Sequence, residues 1–133
     1  MSDISKAIKL PLNMDFMAVS SYGNSTTSSG VVQIIKDLSA DIKGKDVLII
    51  EDVIDSGLTL NYLKKYLAQK NPNTIKICTL LDKPTRRKVD VEVNYIGFTV
   101  PDYFVCGYGL DYAEMFRNVP YIFILNPKFY ENK

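Results

Sequence analysis

Residues 47–60, VLIIEDVIDSGLTL, run from four apolar residues into two adjacent acids and then through a small-residue segment into a second apolar pattern. The run Val47 to Ile50 is typical of a strand that is covered on both faces. A helical repeat of leucines follows from Leu60 to Leu67, and a second apolar run lies at Ile75 to Leu81. Strand, helix and strand in succession predict a crossover connection and a parallel sheet.

The rest of the chain predicts further strands, one short helix and one loop. The helix is expected over Asp3 to Leu10, and the strands over Met14 to Val19, Val31 to Ile35, Tyr95 to Val100 and Tyr121 to Leu125. Apart from Tyr22, residues 20–30 are glycine or small and polar, which indicates a flexible exposed loop. The 133 residues are therefore expected to form a single α/β domain, mainly a parallel sheet with flanking helices.

Composition excludes several classes of function. The formal net charge is +1 and no apolar run reaches the length of a membrane span, so neither nucleic acid nor a membrane surface is expected as a partner. The N-terminus lacks a secretory signal, and Cys78 and Cys106 have no metal-like spacing, so a cytoplasmic location with buried thiols is expected. The chain has no histidine, which excludes Ser-His triads and zinc sites built on histidine.

The small residues before the predicted helix suit an anion. Ligands of parallel sheets bind at the carboxyl ends of the strands, where the segment from Glu51 to Thr59 lies. A helix start offers unpaired N–H groups and a partial positive charge. Because Ser56, Gly57 and Thr59 are small, the backbone can approach a phosphate closely.

The acids beside this segment suit a sugar or a metal. Glu51 and Asp52, expected in the loop after the strand, can accept hydrogen bonds from a sugar diol or hold hydrated Mg²⁺. Asp55 can act as a general acid or base. The alternative is that Asp55 or Ser56 caps the helix and that the two acids are solvated loop residues.

The order strand, two acids, two apolar residues, Asp, Ser or Thr, Gly, any residue and Thr resembles the phosphoribosyl-diphosphate (PRPP) motif of type I phosphoribosyltransferases. Downstream, LLDKPTRRKVDVEVNYIGFTVPDYFVCGYGLDYAEMFRN is similar to the base-binding half of the hypoxanthine-guanine members, and MDFMAVSSYGNSTTSSG to their mobile loop. The resemblance extends from Ile4 onward. It implies a type I phosphoribosyltransferase core that transfers phosphoribosyl from PRPP to hypoxanthine or guanine in purine salvage.

The resemblance also implies the roles of the PRPP motif. The motif residues are Glu51, Asp52, Asp55, Ser56, Gly57, Leu58 and Thr59. Glu51 and Asp52 would engage the ribose hydroxyls and Mg²⁺. Asp55 would exchange a proton with N7 of the purine, and residues 55–59 would bind the 5′-phosphate.

The resemblance implies that five downstream residues bind the purine base, a second metal ion and the leaving group. Lys83 would contact the purine O6, Phe104 would stack on the base, and the Val105 backbone would bond its edge. Asp111 would help to hold a second Mg²⁺, and Arg117 would contact pyrophosphate.

Each of these residues has an ordinary structural alternative when taken alone. Lys83, beside Arg86, Arg87 and Lys88, would be a solvated charge, and Phe104 a core or surface aromatic residue. Asp111 would be a turn residue, and Arg117 would pair with Glu114 on a helix.

Ser21 and Tyr22 would belong to the loop that closes over the reaction. Family members also carry an N-terminal segment, with a central strand and a Leu-Lys-Gly loop for pyrophosphate, that has no counterpart in this sequence. Alternatives to an active enzyme are therefore a catalytically weak PRPP- or nucleotide-binding module, or a truncated fragment that completes its fold by oligomerisation. Self-association is expected in each case.

Overall fold

A computed structural model describes residues 1–21 and 32–130, and its largest sheet is parallel. The helices and strands are α1 (Ser2–Ala7), β1 (Ala18–Ser21), β2 (Val32–Lys36), β3 (Asp46–Ile54), α2 (Leu58–Ala68), β4 (Thr74–Asp82), β5 (Tyr95–Thr99), β6 (Val105–Cys106) and β7 (Phe123–Ile124). Short 3₁₀ helices span Pro84–Arg86 and Pro127–Phe129. The predicted loop, including Tyr22, lies almost entirely outside the described residues.

The parallel sheet has the order β3-β4-β5. Strands β3 and β4 pair without a register shift from Asp46 opposite Thr74 to Ile54 opposite Asp82, and α2 connects them. This arrangement confirms the predicted α/β class with its strand–helix–strand unit. Two antiparallel pairs, β1-β2 and β6-β7, complete the strands of the described residues.

The core lies where α2 and the parallel sheet meet. Helix α2 buries the three leucines of the predicted repeat, Leu60, Leu63 and Leu67. Leu60 packs with Ile54 at the end of β3 and with Ile77 in the middle of β4. The leucine spacing therefore predicted both the helix and the face that it buries.

Strand β3 is longer and more exposed than the sequence predicted. It continues through Glu51 and Asp52, which were expected in a loop, because every backbone pair with β4 is retained as far as Ile54. The expectation that both faces of this strand are covered is also wrong, since Leu48 is 37% exposed. Strand β3 pairs with one neighbour only within the described residues.

The N-terminal elements are also shorter than predicted. Helix α1 ends at Ala7, because Ile8 is extended, and the strand expected from Met14 begins only at Ala18. Asp15 explains the delay: its carboxylate accepts the N–H groups of Phe16 (2.8 Å), Ser39 (2.6 Å) and Ala40 (3.1 Å). A side chain, rather than a neighbouring strand, thus holds this stretch of backbone.

Three smaller expectations need correction. Strand β5, predicted from Tyr95 to Val100, ends at Thr99 and is exposed along its whole length, and β7 spans two residues instead of five. Cys106 is buried as expected, whereas Cys78 is only half-buried. Within residues 1–21 and 32–130, no helix combines the length and apolarity that crossing a membrane requires.

Candidate active site

The site is built around the turn between β3 and α2. Gly57 has a φ of 78°, in the left-handed region, and α2 begins at Leu58 with no side-chain cap. The Leu58 N–H donates a long hydrogen bond, 3.4 Å, to the Ser56 hydroxyl, but the cap position itself is Gly57, so neither Asp55 nor Ser56 is the helix cap of the alternative interpretation. Apart from this long hydrogen bond from Leu58, the first N–H groups of α2 remain available to an anion.

A cleft of about 250 Å³ opens at this turn. Its lining comprises Glu51, Val53, Ile54, Asp55, Ser56, Gly57, Thr59 and Leu60. The predicted phosphate segment and two of the three predicted acids therefore share one cavity. Leu58, the remaining residue of the motif, contributes no lining.

Asp52 is the acid that the cleft lacks. Successive side chains of a strand point to opposite faces, and Asp52 follows Glu51 within β3. Asp52 is exposed, and its carboxylate accepts the Val53 N–H at 2.6 Å. The prediction that both acids form one ligand-binding pair was based on their lying in a loop, and the continued strand separates them.

Glu51 is the acid that the cleft partly buries. Burial, and secondarily the nearby charge of Asp52, raise the pKa of Glu51 from 4.5 to about 7. Desolvation disfavours the charged form of a carboxyl group, and a neighbouring negative charge adds to this effect. Glu51 thus exchanges a proton near neutral pH, a property that is common among functional acids.

Lys83 lies beside Asp55 and is buried. It is 7% exposed, and its ammonium donates to the Tyr103 carbonyl at 2.7 Å. The ammonium nitrogen is also 3.8 Å from an Asp55 carboxylate oxygen. The alternative of a solvated lysine is therefore wrong, and the structure places a cation next to the predicted general base.

Asp102 completes this charged group, and the sequence analysis did not identify it. Its carboxylate lies 3.9 Å from the Lys83 ammonium and 3.1 Å from the Arg86 guanidinium. The interactions join the turn after β4 to the segment before β6. No local pattern signals them, because the whole of β5 and its flanking loops lie between Lys83 and Asp102.

Phe104 and Val105 lie where aromatic rings gather beside β6. The Phe104 ring is 5.6 Å from the Tyr112 ring and 5.2 Å from the Tyr130 ring, yet Phe104 remains 38% exposed. Val105 belongs to β6 and pairs with Ile124. Phe104 therefore has neighbours that orient its ring while part of its surface stays open.

Asp111 and Arg117 are paired with each other. The guanidinium of Arg117 lies 2.9 Å from an Asp111 oxygen and also donates to the Gly109 carbonyl at 2.9 Å. Its contact with Glu114, at 3.4 Å, is longer. The pairing of Arg117 with Glu114 is thus present, but the helix predicted to carry it is not, since residues 111–120 form turns and isolated bridges, and Asp111 is the nearer partner.

Of the two residues predicted in the closing loop, Ser21 and Tyr22, the structure describes only the backbone of Ser21. Ser21 ends β1, where its backbone pairs with Val32. Tyr22 lies outside residues 1–21 and 32–130.

Comparisons with known proteins give the class of this site. The family model of the phosphoribosyl transferase domain matches residues 2–113. The hypoxanthine-guanine phosphoribosyltransferase of Bacillus subtilis is 59% identical over 132 residues, which cover 99% of this chain and 73% of that protein. That of Mycobacterium bovis is 54% identical over 130 residues, covering 98% of this chain and 64% of that protein.

A solved structure leads to the same group. The hypoxanthine phosphoribosyltransferase of Staphylococcus aureus superposes with a TM-score of 0.95 at 53% identity, covering 98% of this chain and 71% of that one. The chain therefore belongs to the phosphoribosyltransferase family, in the group of the hypoxanthine-guanine phosphoribosyltransferases.

Proposed function

We propose that the chain transfers a 5-phosphoribosyl group from PRPP to a 6-oxopurine, hypoxanthine or guanine. The products are IMP or GMP and pyrophosphate, and the reaction belongs to purine salvage. One observation carries the proposal: the uncapped start of α2, the left-handed Gly57 and the acids Glu51 and Asp55 face one cleft. High identity to hypoxanthine-guanine enzymes supports the choice of base.

The phosphoribosyl group fits the cleft from the helix end outward. Backbone N–H groups at Gly57, Leu58 and Thr59 would donate to the 5′-phosphate, helped by the positive end of α2. The hydroxyls of Ser56 and Thr59 add donors at the same place. Glu51, which lines the same cleft, would accept hydrogen bonds from the ribose hydroxyls.

The base would lie between Lys83 and Phe104. Lysine donates hydrogen bonds and accepts none, so Lys83 favours the O6 carbonyl of hypoxanthine or guanine over the amino group of adenine. The exposed part of Phe104 offers a stacking surface, and the backbone of Val105 would bond the edge of the base. Asp55, 3.8 Å from Lys83, would take the proton from the attacking purine.

Mg²⁺ fits the chemistry of these residues. No cluster of three ligating side chains occurs in the described part of the chain, but Mg²⁺ usually takes one or two carboxylates together with water and substrate phosphates. Glu51, which lines the cleft, would hold one such ion without Asp52, and Asp111 would hold a second after release from Arg117. When bound, Mg²⁺ neutralises charge that develops on pyrophosphate.

The reaction exchanges one bond at C1′ of the ribose for another. The bond from C1′ to pyrophosphate breaks, pyrophosphate leaves with the electron pair, and a purine nitrogen forms the new bond. Arg117 would contact the departing pyrophosphate. Because water competes for the developing cation, the loop that contains Ser21 and Tyr22 would close over the site.

The test is nucleotide formation from PRPP, Mg²⁺ and hypoxanthine, guanine or adenine. We expect turnover with the first two bases and little with adenine. Asp55→Asn should lower kcat by about 10²–10⁴-fold, as for loss of a general base. Asp90→Asn, which changes an exposed acid outside the cleft lining, is the control and should leave kcat unchanged.

Two results would contradict the proposal in different ways. GMP binding without nucleotide formation would favour the binding module described above. Equal use of adenine would refute the role of Lys83.

Self-association and a cytoplasmic location complete the proposal. In β5, the edge strand of the parallel sheet, Ile96 is 46% and Phe98 64% exposed. Exposed apolar side chains of this kind would be buried if two copies of the chain associated through β5. Light scattering after size exclusion would measure the mass in solution, and a monomeric mass would refute self-association.

A further inference from the structure

The loop after β4 supports the phosphate turn from behind. The N–H groups of Lys88 and Val89 both donate to the Ser56 carbonyl, at 3.0 and 3.3 Å. The Lys83 N–H donates to the Ile54 carbonyl at 3.0 Å. The loop therefore bonds the carbonyl groups of the turn and uses none of the N–H groups at the start of α2, of which Leu58 makes only a long hydrogen bond to the Ser56 hydroxyl.

The same loop encloses Gly57. A methyl group added at Gly57 would lie 3.1 Å from a Val91 methyl, 3.2 Å from Arg87 Cδ and 3.3 Å from the Val89 carbonyl oxygen. These distances are shorter than ordinary van der Waals contacts. The aliphatic part of Arg87 is thus one wall of the space that the left-handed glycine occupies.

An ion pair fixes Arg87 in that place. Its Nη2 pairs with Asp82, the last residue of β4, and the two side chains are only 19% and 10% exposed. The Nη1 atom is buried and has no acceptor within residues 1–21 and 32–130. A buried pair with an unsatisfied donor adds little net stability, so what this pair contributes is the position of the Arg87 side chain.

We propose that Arg87, held by Asp82, is a positioning residue for the 5′-phosphate. Arg87 does not touch the phosphate in this proposal. It sets the backbone at Ser56 and Gly57, and thereby the direction of the N–H groups at the start of α2. The inference deepens the proposed function and rests on it.

The experiment compares Michaelis constants in Arg87→Gln, Asp82→Asn and the double variant. Each single variant should raise KM for PRPP about tenfold, because one strained contact or hydrogen bond is worth about that factor. The same variants should leave KM for hypoxanthine within about twofold. The double variant should be no worse than either single variant, since both break one pair. Arg87→Lys, which keeps the charge and most of the stem, should recover part of the loss.

A charge control and a binding assay complete the design. Lys65→Gln removes a positive charge from the exposed side of α2 and should change neither KM. Calorimetry with GMP measures the loss of affinity for the 5′-phosphate without turnover. The two single variants should bind GMP about tenfold more weakly than the unmodified chain.

The possible failures are distinguishable. If the unmodified chain binds GMP and turns over, but the variants raise both Michaelis constants equally or lose only thermal stability, the positioning role is refuted. Additive losses in the double variant would refute the role of the pair. If the unmodified chain neither turns over nor binds GMP, the proposed function fails, and the inference with it.

Discussion

Glu51→Gln should stabilise the protein at neutral and alkaline pH. The pKa of Glu51 is raised from 4.5 to about 7 by burial and by the charge of Asp52. The folded chain therefore holds the Glu51 proton more tightly than the unfolded chain. Between pH 4.5 and about 7 the folded state binds more protons, so this group lowers the free energy of unfolding as the pH rises.

The size of the effect follows from the pKa difference. One pKa unit corresponds to about 1.4 kcal/mol, so the rise from 4.5 to about 7 corresponds to about 3 kcal/mol. Glutamine has almost the same shape and carries no charge. We therefore expect Glu51→Gln to exceed the unmodified chain in unfolding free energy by about 3 kcal/mol at about pH 8, and by almost nothing at about pH 4.

Urea unfolding followed by circular dichroism at both pH values measures this difference. Other titrating groups occur in both proteins and cancel in the comparison. Glu92→Gln is the control, because the Glu92 side chain is 74% exposed and is paired with Lys64 at 3.6 Å. A Glu51→Gln difference that is the same at both pH values would refute the argument from burial.

Three further substitutions test the turn and the junction of β2 with α2. Gly57→Ala should lower the unfolding free energy by about 2 kcal/mol, because alanine is strained in the left-handed region and its methyl makes tight contacts, and it should raise KM for PRPP. The matched control is Gly44→Ala, whose methyl would meet nothing within 4 Å. Gly44→Ala should lower the unfolding free energy by about 1 kcal/mol and leave KM for PRPP unchanged. The pKa of Asp37 is lowered to about 2 by the side chains of Lys70 and Tyr66. The stability from Asp37 is therefore present above about pH 4 and lost as the pH falls through about 2. Asp37→Asn should show a smaller loss over that range in an acid titration followed by circular dichroism, and an unchanged acid transition would contradict this.

The strand–helix–strand unit could be predicted because its signals are local. Four consecutive apolar residues, a leucine repeat and a second apolar run each determine an element without reference to distant parts of the chain. The small residues between β3 and α2 predicted a close approach of the backbone to an anion for the same reason, although they did not predict the left-handed conformation of Gly57. Local patterns thus predicted both the α/β class and the position of the cleft.

The end of β3 could not be predicted in this way. Two acids after an apolar run are typical of a loop, but a strand continues wherever its neighbour keeps offering backbone partners. Strand β4 does so as far as Asp82, opposite Ile54. Exposure of Asp52 and the raised pKa of Glu51 are consequences of that pairing, which only the partner strand determines.

The charged residues after β4 show the same limit more strongly. Lys83, Arg86 and Arg87 lie within five positions, and the sequence suggests one solvated cluster. The structure gives each a different partner: Tyr103 and Asp55 for Lys83, Asp102 for Arg86, and Asp82 for Arg87. Contacts with residues far along the chain decide which cation is buried, and composition within a window carries no such information.

The raised pKa of Glu51 connects stability to ligand binding. Near neutral pH Glu51 is partly protonated, because burial and the charge of Asp52 raise its pKa to about 7. Ribose hydroxyls or a hydrated cation in the cleft would favour the charged form, so binding would release protons in proportion to the protonated fraction. Burial of Glu51 thus lowers the stability of the free protein, and it also couples ligand binding to the ionisation of Glu51. Glu51→Gln should accordingly gain stability and weaken PRPP binding together, which a merely structural acid would not do.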